Sequence, residues 1–300
     1  MSILSIQEVS KFYGDYQALD SVSIEISKGS IFGLLGPNGA GKTSLIRIIN
    51  QITGPDKGKV LFDGQNLSPE HISRIGYLPE ERGLYPKMKV GEQIMYLARL
   101  KNLDKASAKK TIKDWFQRFE IESWWNKNVE ELSKGMQQKV QFIATVIHQP
   151  DLLIFDEPFT GFDPINTNLI KSEIRRLRDE GATIIFSTHR MESVEEICDD
   201  IALINKSHKI LEGPIKEVKK AHKSHNYIME VKGDFKDTLP TGMTMKTNEF
   251  KDGISLLKVA IPDDNPTALI EKIISQHQLI SFNEEIPSLN DIFIQKVQEV

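Results

Sequence analysis

Eight consecutive residues constrain this chain more than any others: Gly36-Pro37-Asn38-Gly39-Ala40-Gly41-Lys42-Thr43. They read G-x-x-x-x-G-K-T, a loop that cradles phosphates. Ser30-Ile31-Phe32-Gly33-Leu34-Leu35 precedes it, a short apolar run suited to a buried parallel strand. Leu45, Ile48, Ile49 and Ile52 follow at i, i+3, i+4 and i+7, so a helix is predicted there. Strand, glycine loop and helix together are the context the motif requires. Glycines let successive N–H groups point inward, and the helix N-terminus adds about half a positive charge. Lys42 can reach β- and γ-phosphates, and the Thr43 hydroxyl can ligate Mg²⁺.

A chain of 300 residues is enough for one large or two ordinary domains. With 39% hydrophobic residues it can bury a core. A net charge of −4 argues against a nucleic-acid partner, which needs a basic face. The single cysteine, Cys198, cannot form an intramolecular disulfide, fits a reducing compartment, and reads as a small buried residue. The N-terminus lacks a basic region and a long apolar stretch, so no secretory signal is expected. No run of about 18 apolar residues predicts a membrane span. A role at a membrane would therefore need a partner that supplies the membrane part.

In chain order, residues 3–9 and 21–26 alternate apolar and polar and predict two antiparallel strands around a turn, Lys11-Phe12-Tyr13-Gly14-Asp15. Lys59-Val60-Leu61-Phe62 and Arg74-Ile75-Gly76-Tyr77-Leu78 predict further strands. From about residue 90 to 120 the spacing is helical, and Trp124 and Trp125 read as core or subunit-contact residues. Glu131-Leu132-Ser133-Lys134-Gly135 opens another helix, with Val140, Ile143, Ala144 and Ile147 on one side. Asp151-Leu152-Leu153-Ile154-Phe155-Asp156-Glu157 is an apolar strand ending in two carboxylates, Pro164 begins a helix, and Thr183-Ile184-Ile185-Phe186-Ser187 is a buried strand. Residues 201–204 and 209–211 suggest a closing hairpin. Strands alternating with helices predict an α/β fold with a mostly parallel, doubly wound sheet. Near Lys216 the composition turns basic, and residues 216–225 read as a solvated helix or linker. Beyond lies a small α+β unit, with strands near 227–231 and 254–261 and helices near 266–277 and 288–297. Ser288 and Asp291 form a capping box for the last helix.

Glu131-Leu132-Ser133-Lys134-Gly135-Met136-Gln137, just ahead of the Asp156–Glu157 strand, resembles the L-S-G-G-Q signature of ATP-binding cassette (ABC) proteins. The other cassette motifs follow in order, and the resemblance covers roughly residues 3–213. It implies a P-loop ATPase with an antiparallel β subdomain, and a helical subdomain at about 88–148 within an ATP-binding domain 1–215. Residues 216–300 form a second, small α+β domain. By resemblance, ATP lies on Gly36, Pro37, Asn38, Gly39, Ala40, Gly41, Lys42, Thr43 and Ser44, with Tyr13, or alternatively Phe12, stacked on adenine. Mg²⁺ is held by Thr43, Glu80 and Asp156, Glu157 is the general base, and His189 is the switch that senses the γ-phosphate. Lys42 joins Glu157 and His189 as a catalytic residue, and Asp163 matches the loop that communicates between paired cassettes. Ser133 and Gly135 would complete the ATP site of an opposite subunit, either a second copy or a related ATPase. The remaining partner implied is an integral-membrane permease, which places the chain peripherally on the cytoplasmic face of the cell membrane.

Three positions depart from the pattern. Lys134 replaces the first glycine of the signature pair, Met136 replaces its glutamine, and Glu80 stands where most cassettes carry glutamine. Glutamine can donate and accept, whereas ionised glutamate only accepts, so hydrogen bonding at that corner must differ. The run Tyr77-Leu78-Pro79-Glu80-Glu81-Arg82-Gly83-Leu84-Tyr85-Pro86-Lys87-Met88 and the ending Pro287-Ser288-Leu289-Asn290-Asp291-Ile292-Phe293 resemble the prokaryotic sodium-efflux and drug-export-like branch. The implied activity is ATP hydrolysis coupled to transport, in the export direction. Soluble ABC ATPases of translation or DNA repair need tandem cassettes or a long coiled-coil insertion, which this chain does not show. Intact Lys42, Asp156, Glu157 and His189 argue against a non-catalytic subunit.

Overall fold

The computed structural model describes residues 1–81, 83–261 and 265–299. Arg82, Pro262, Asp263, Asp264 and Val300 lie outside the described residues, which removes one position from the motif run 77–88 and four from the segment 216–300. Two compact units are present, Met1–Ile215 and Lys216–Glu299.

The first unit begins with the hairpin β1 (Ser2–Tyr13) and β2 (Tyr16–Ser27), followed by β3 (Ile31–Leu35) and α1 (Lys42–Ile49). Next come β4 (Lys57–Phe62), β5 (Gln65–Asn66) and β6 (Ile75–Leu78). Three helices follow, α2 (Val90–Leu100), α3 (Lys105–Arg118) and α4 (Lys134–Val146). The unit then runs through β7 (Leu152–Asp156), α5 (Pro164–Asp179), β8 (Thr183–Ser187), α6 (Met191–Ile197), β9 (Asp200–Asn205) and β10 (His208–Pro214).

The central sheet has the order β10-β9-β3-β8-β7-β6. All its pairings are parallel except that of β10 with β9. Every residue of β3, β7 and β8 is buried, as a parallel strand covered on both faces demands. A second, antiparallel sheet of order β2-β1-β4-β5 lies over α1. Leu4, Ile6, Leu19, Ile24 and Phe62 share one core with Leu45, Ile46, Ile48 and Ile49 of that helix.

Two expectations need correction here. The stretch 11–15 is not all turn: Lys11, Phe12 and Tyr13 continue β1 and pair with Leu19, Gln17 and Tyr16. And α1 ends before Ile52, which is 63% exposed. The Asn50 amide closes the helix on the Ile46 carbonyl at 2.9 Å, and Gln51 then takes a positive φ of 56°, so the chain turns away.

The helical layer is tied to the sheet by aromatic rings. Trp115 of α3 meets Phe142 of α4 edge to face at 6.1 Å, and Phe142 stacks on Phe155 of β7 at 5.5 Å. Trp125, half-buried, packs on Phe116 and lies so close to Gly91 that a Cβ there would be 2.6 Å from its ring. Phe142 is fully buried, and its truncation to alanine would cost about 3–5 kcal/mol. This packing fixes α4 against β7, whose end carries Asp156. Cys198 is half-buried rather than fully buried, and burial of its sulfur raises the thiol pKa far above the ordinary value.

The second unit contains α7 (Ile215–Ala221, entered from the first unit), β11 (Asn226–Lys232), β12 (Thr244–Lys251), β13 (Ile254–Ala260), α8 (Thr267–Gln276), β14 (Leu279–Glu284) and α9 (Leu289–Gln298). Its antiparallel sheet runs β12-β13-β11-β14 over a core that includes Met229, Val231, Leu257, Val259, Leu269 and Ile273. The Ser288–Asp291 capping box is formed, with Ser288 Oγ accepting from the Asp291 amide at 3.1 Å and Asp291 accepting from the Ser288 amide at 3.1 Å. Strands β12 and β14 were not expected from the sequence. Nearly all of β12 is exposed, so it carries no apolar alternation.

Candidate active site

Strand order builds the site. Strands β3, β8, β7 and β6 are parallel neighbours, so their C-terminal ends open along one edge of the sheet. Leu34 and Asp156 both pair with Ser187, and Leu78 pairs with Phe155. The loop before Lys42, the Ser187–His189 segment, the Asp156–Glu157 pair and Glu80 therefore emerge in a row.

Gly36 (φ 149°) leaves β3 so close to β9 that a Cβ would lie 2.2 Å from the Ile204 carbonyl oxygen. Gly39 (φ 80°) faces open space instead, with no atom within 4 Å of an added Cβ. Gly41 is the N-cap of α1 and makes no side-chain cap, so the first-turn N–H groups of the helix are available to an anion. Lys42 is half-buried, and its ammonium donates to the Gly36 and Pro37 carbonyls at 2.7 and 3.0 Å. Burial draws its pKa below the ordinary lysine value, while the carboxylates of Asp156, Glu157 and Glu80 push it back up. Thr43 is exposed at the mouth of the loop, with half-buried Ser44 beside it. Pro37, Asn38 and Ala40 shape the loop, and the Ala40 amide turns back to the Pro37 carbonyl at 3.2 Å.

Asp156 is buried at the end of β7. Burial raises its pKa; Glu157 and Glu80 raise it further, against the Ser187 hydroxyl and Lys42. Glu157 has a left-handed backbone (φ 49°), a conformation that costs a non-glycine residue on the order of 1–3 kcal/mol. It is held by its N–H bond to the Ser187 carbonyl at 2.8 Å. Its Oε1 accepts from the His189 amide at 2.9 Å and from His189 Nδ1 at 2.6 Å, and its Oε2 accepts from Thr188 Oγ1 at 3.0 Å. Glu157 and His189 are thus brought into direct contact.

Glu80 is exposed just past β6, and its charge acts on Lys42, Asp156 and Tyr77. The Tyr77 hydroxyl is pushed up to about 12, by burial first and then by Asp156. Ser133 is the exposed N-cap of α4 and accepts from the Met136 amide at 3.3 Å; Gly135 lies near Gly161, and Lys134 points to solvent. Asp163 is the N-cap of α5, accepting from the Asn166 amide at 2.9 Å, which with the Asn166 side chain lowers its pKa. Tyr13 is 43% exposed at the hairpin end, with the Lys11 ammonium 5.6 Å from its ring centre.

Three supporting residues were not singled out from the sequence. Tyr16, opposite Tyr13 in the hairpin, donates its hydroxyl to the Gly39 carbonyl at 3.0 Å. Gln141 of α4 reaches the Glu81 carbonyl at 3.3 Å and anchors the exit of β6; a polar residue on the buried side of α4 was the available signal. Thr188, between the strand Thr183–Ser187 and His189, is the third.

The open side of Gly39, the uncapped start of α1 and the Lys42 ammonium suit a polyphosphate. Oxygens of Thr43, Asp156 and Glu80 are the hard ligands Mg²⁺ prefers. Among the described residues no three His, Cys, Asp or Glu side chains form a group that could hold a metal ion by themselves. A parallel sheet with this loop and these carboxylates at its edge defines a P-loop nucleoside-triphosphatase.

Residues 19–160 match the family model "ABC transporter", and residues 213–297 match "ATP-binding protein DrrA1-3-like, C-terminal domain". The chain is 42% identical over 299 residues to the uncharacterized ABC transporter ATP-binding protein YhaQ of Bacillus subtilis, covering 99% of each. It is 35% identical to the Nod factor export ATP-binding protein I of Cupriavidus metallidurans, covering 71% of each. A solved "ATP binding subunit of ABC transporter" superposes with a TM-score of 0.69 at 26% identity, over 73% of this chain and 93% of that one. The chain belongs to the ABC transporter family, as an ATP-binding ATPase subunit with a DrrA1-3-like C-terminal domain.

Proposed function

We propose that this chain binds and hydrolyses Mg²⁺–ATP in a pair of cassettes that drives a separate integral-membrane permease in export. One observation carries the hydrolytic reading: the Glu157 carboxylate is oriented by Thr188 and His189 beside the lysine of the phosphate loop. Lys42 and the amides of residues 36–44 hold the phosphates, Thr43, Asp156 and Glu80 hold Mg²⁺, and Tyr13 stacks on the base. Mg²⁺ when bound neutralises charge on the phosphates and orients them. Glu157 accepts the proton of the attacking water at Oε2, whose second lone pair is free of the Thr188 bond. His189 keeps the carboxylate turned through Nδ1.

Pairing is supported by composition of the site: one phosphate loop and one signature per chain, with Ser133 exposed at the start of α4. Two such chains make two composite sites in a two-fold arrangement, with Ser133 and Gly135 of each completing the other and Asp163 lying between them. No helix among the described residues is long and apolar enough to cross a membrane. In the function proposed here a separate permease supplies the span, with this chain on its cytoplasmic face. Export is supported by the branch-specific C-terminal domain and by the export-named relative. The domain division follows as 1–215 for ATP and 216–300 for an α+β accessory domain.

Glu157→Gln tests the reading. It should abolish turnover, keep ATP binding, and accumulate a species of twice the 34.1 kDa chain mass with ATP in size-exclusion chromatography with light scattering. A mutant that stays monomeric at saturating ATP would overturn the pairing.

A further inference from the structure

Helix α5 carries a buried lysine that the site described above does not use. Lys171 is only 9% exposed, and its ammonium pairs with the carboxylate of Glu196 on α6. Arg175, one turn further along α5, adds Nη2 to Glu196 Oε1 at 2.9 Å and to the Glu196 carbonyl at 3.2 Å. Lys171 Nζ also lies 5.5 Å from the centre of the Phe159 ring, which packs on Phe186 of β8 at 5.2 Å. Phe159 belongs to the loop that leaves Glu157, and α6 is the helix that follows His189. The contacts close a circuit: Glu157, its loop, α5, Lys171, Glu196, α6, His189, and back to Glu157.

A buried ammonium without a catalytic use needs a structural reason. Helix α6 supplies one. It has seven residues and no side-chain cap, too few to hold its own orientation. The His189 side chain is 62% exposed, so packing does not fix its ring; the backbone of 188–190 must. We propose that Lys171, with Arg175, is a positioning residue for hydrolysis: by clamping Glu196 it fixes α6 and thereby the His189 end of the Glu157–His189 contact. This rests on the assignment of Glu157 and His189 as the hydrolytic pair. The two salt-bridge donors also explain the lowered pKa of Glu196, the Lys171 bond being the larger cause.

The test uses the full chain with ¹⁵N-labelled histidine. Ring-nitrogen shifts of His189, assigned by their loss in His189→Gln, report without nucleotide whether Nδ1 carries the proton given to Glu157. Lys171→Met should move His189 toward the Nε2–H tautomer, and Lys171→Arg should keep the wild-type pattern. The kcat for ATP should fall about tenfold to a hundredfold in Lys171→Met with KM unchanged. An unmoved His189 signal overturns the clamp whatever the rate, and a moved signal with unaltered kcat overturns its link to hydrolysis. Wild-type hydrolysis by Glu157→Gln would instead strike the assignment beneath it. Should Lys171→Met fail to fold, Glu196→Gln removes the same ion pair from its exposed side and is read in the same way.

Discussion

Alanine at Gly36 and at Gly39 should separate two demands that the phosphate loop makes of glycine. At Gly39 an alanine side chain meets no protein atom within 4 Å, and only the positive φ of 80° opposes it. That conformation costs an L-residue about 1–2 kcal/mol, a melting-temperature loss of about 2–8 °C for a unit of this size. At Gly36 the φ of 149° is joined by a Cβ placed 2.2 Å from the Ile204 carbonyl oxygen, so β9 itself must move. Such an overlap with backbone costs on the order of 4 kcal/mol, or roughly 8–16 °C. Thermal unfolding of the nucleotide-free full chain measures both. ATP titration then divides the roles: Gly39→Ala should fold yet bind ATP at least about tenfold more weakly, a loss of about 1.4 kcal/mol. Equal thermal losses for the two variants, or a folded Gly39→Ala with wild-type ATP affinity, would refute the division.

Burial pushes the His148 pKa down to about 4 from 6.5, helped by Lys101, while its bond to the Ile75 carbonyl opposes the shift. With the folded value below the unfolded one, the stabilisation is complete above pH 6.5 and is lost as pH falls toward 4. The loss is up to about 3 kcal/mol; His148→Gln should flatten this arm in urea titrations at pH 7 and pH 4.5, and parallel losses in both proteins would count against it. Glu80→Gln removes one of three carboxylates acting on Lys42. The Mg²⁺ concentration for half-maximal hydrolysis should rise by up to roughly tenfold while Mg²⁺-free ATP binds more tightly, and an unchanged Mg²⁺ requirement would show that Glu80 stands clear of the metal. Gln93 is fully buried in α2 with neither side-chain polar atom bonded. Gln93→Met should stabilise the chain by about 1–2 kcal/mol, read as a higher urea midpoint; a lower midpoint would mean the amide is satisfied.

Strands buried on both faces were legible as short apolar runs: β3 is apolar throughout, and β7 and β8 carry polar residues only at their ends, Asp156 in one and Thr183 and Ser187 in the other. Helices were legible where one face is buried, as in α4. Spacing failed where local chemistry overrode it. Ile52 continues the apolar period of α1, but the Asn50 side chain and the left-handed Gln51 end the helix first. Edge strand β12 could not be read, since a strand with almost no buried residue has no reason to alternate. The seven-residue α6 completes too little of the helical period to declare itself.

The site residues were legible as strings because each string serves a local backbone need, such as Gly36 beside β9 or Ser133 and Asp163 as helix caps. What joins the strings is strand order, which no string encodes. Placing β8 between β3 and β7 sets Ser187 beside both Leu34 and Asp156. The Ser187 carbonyl can then hold the Glu157 amide in its left-handed turn, and residues 188 and 189 can reach the carboxylate. That adjacency, together with β6 beside β7, sets the charges of Asp156, Glu157 and Glu80 against one half-buried lysine. Three carboxylates against one ammonium leave an excess of negative charge where a polyanion must sit. A nucleotide accompanied by a divalent cation resolves that conflict; a bare one meets it. The function proposed above therefore expects hydrolysis to require a divalent cation, and expects the Glu80 carboxylate to steepen that requirement.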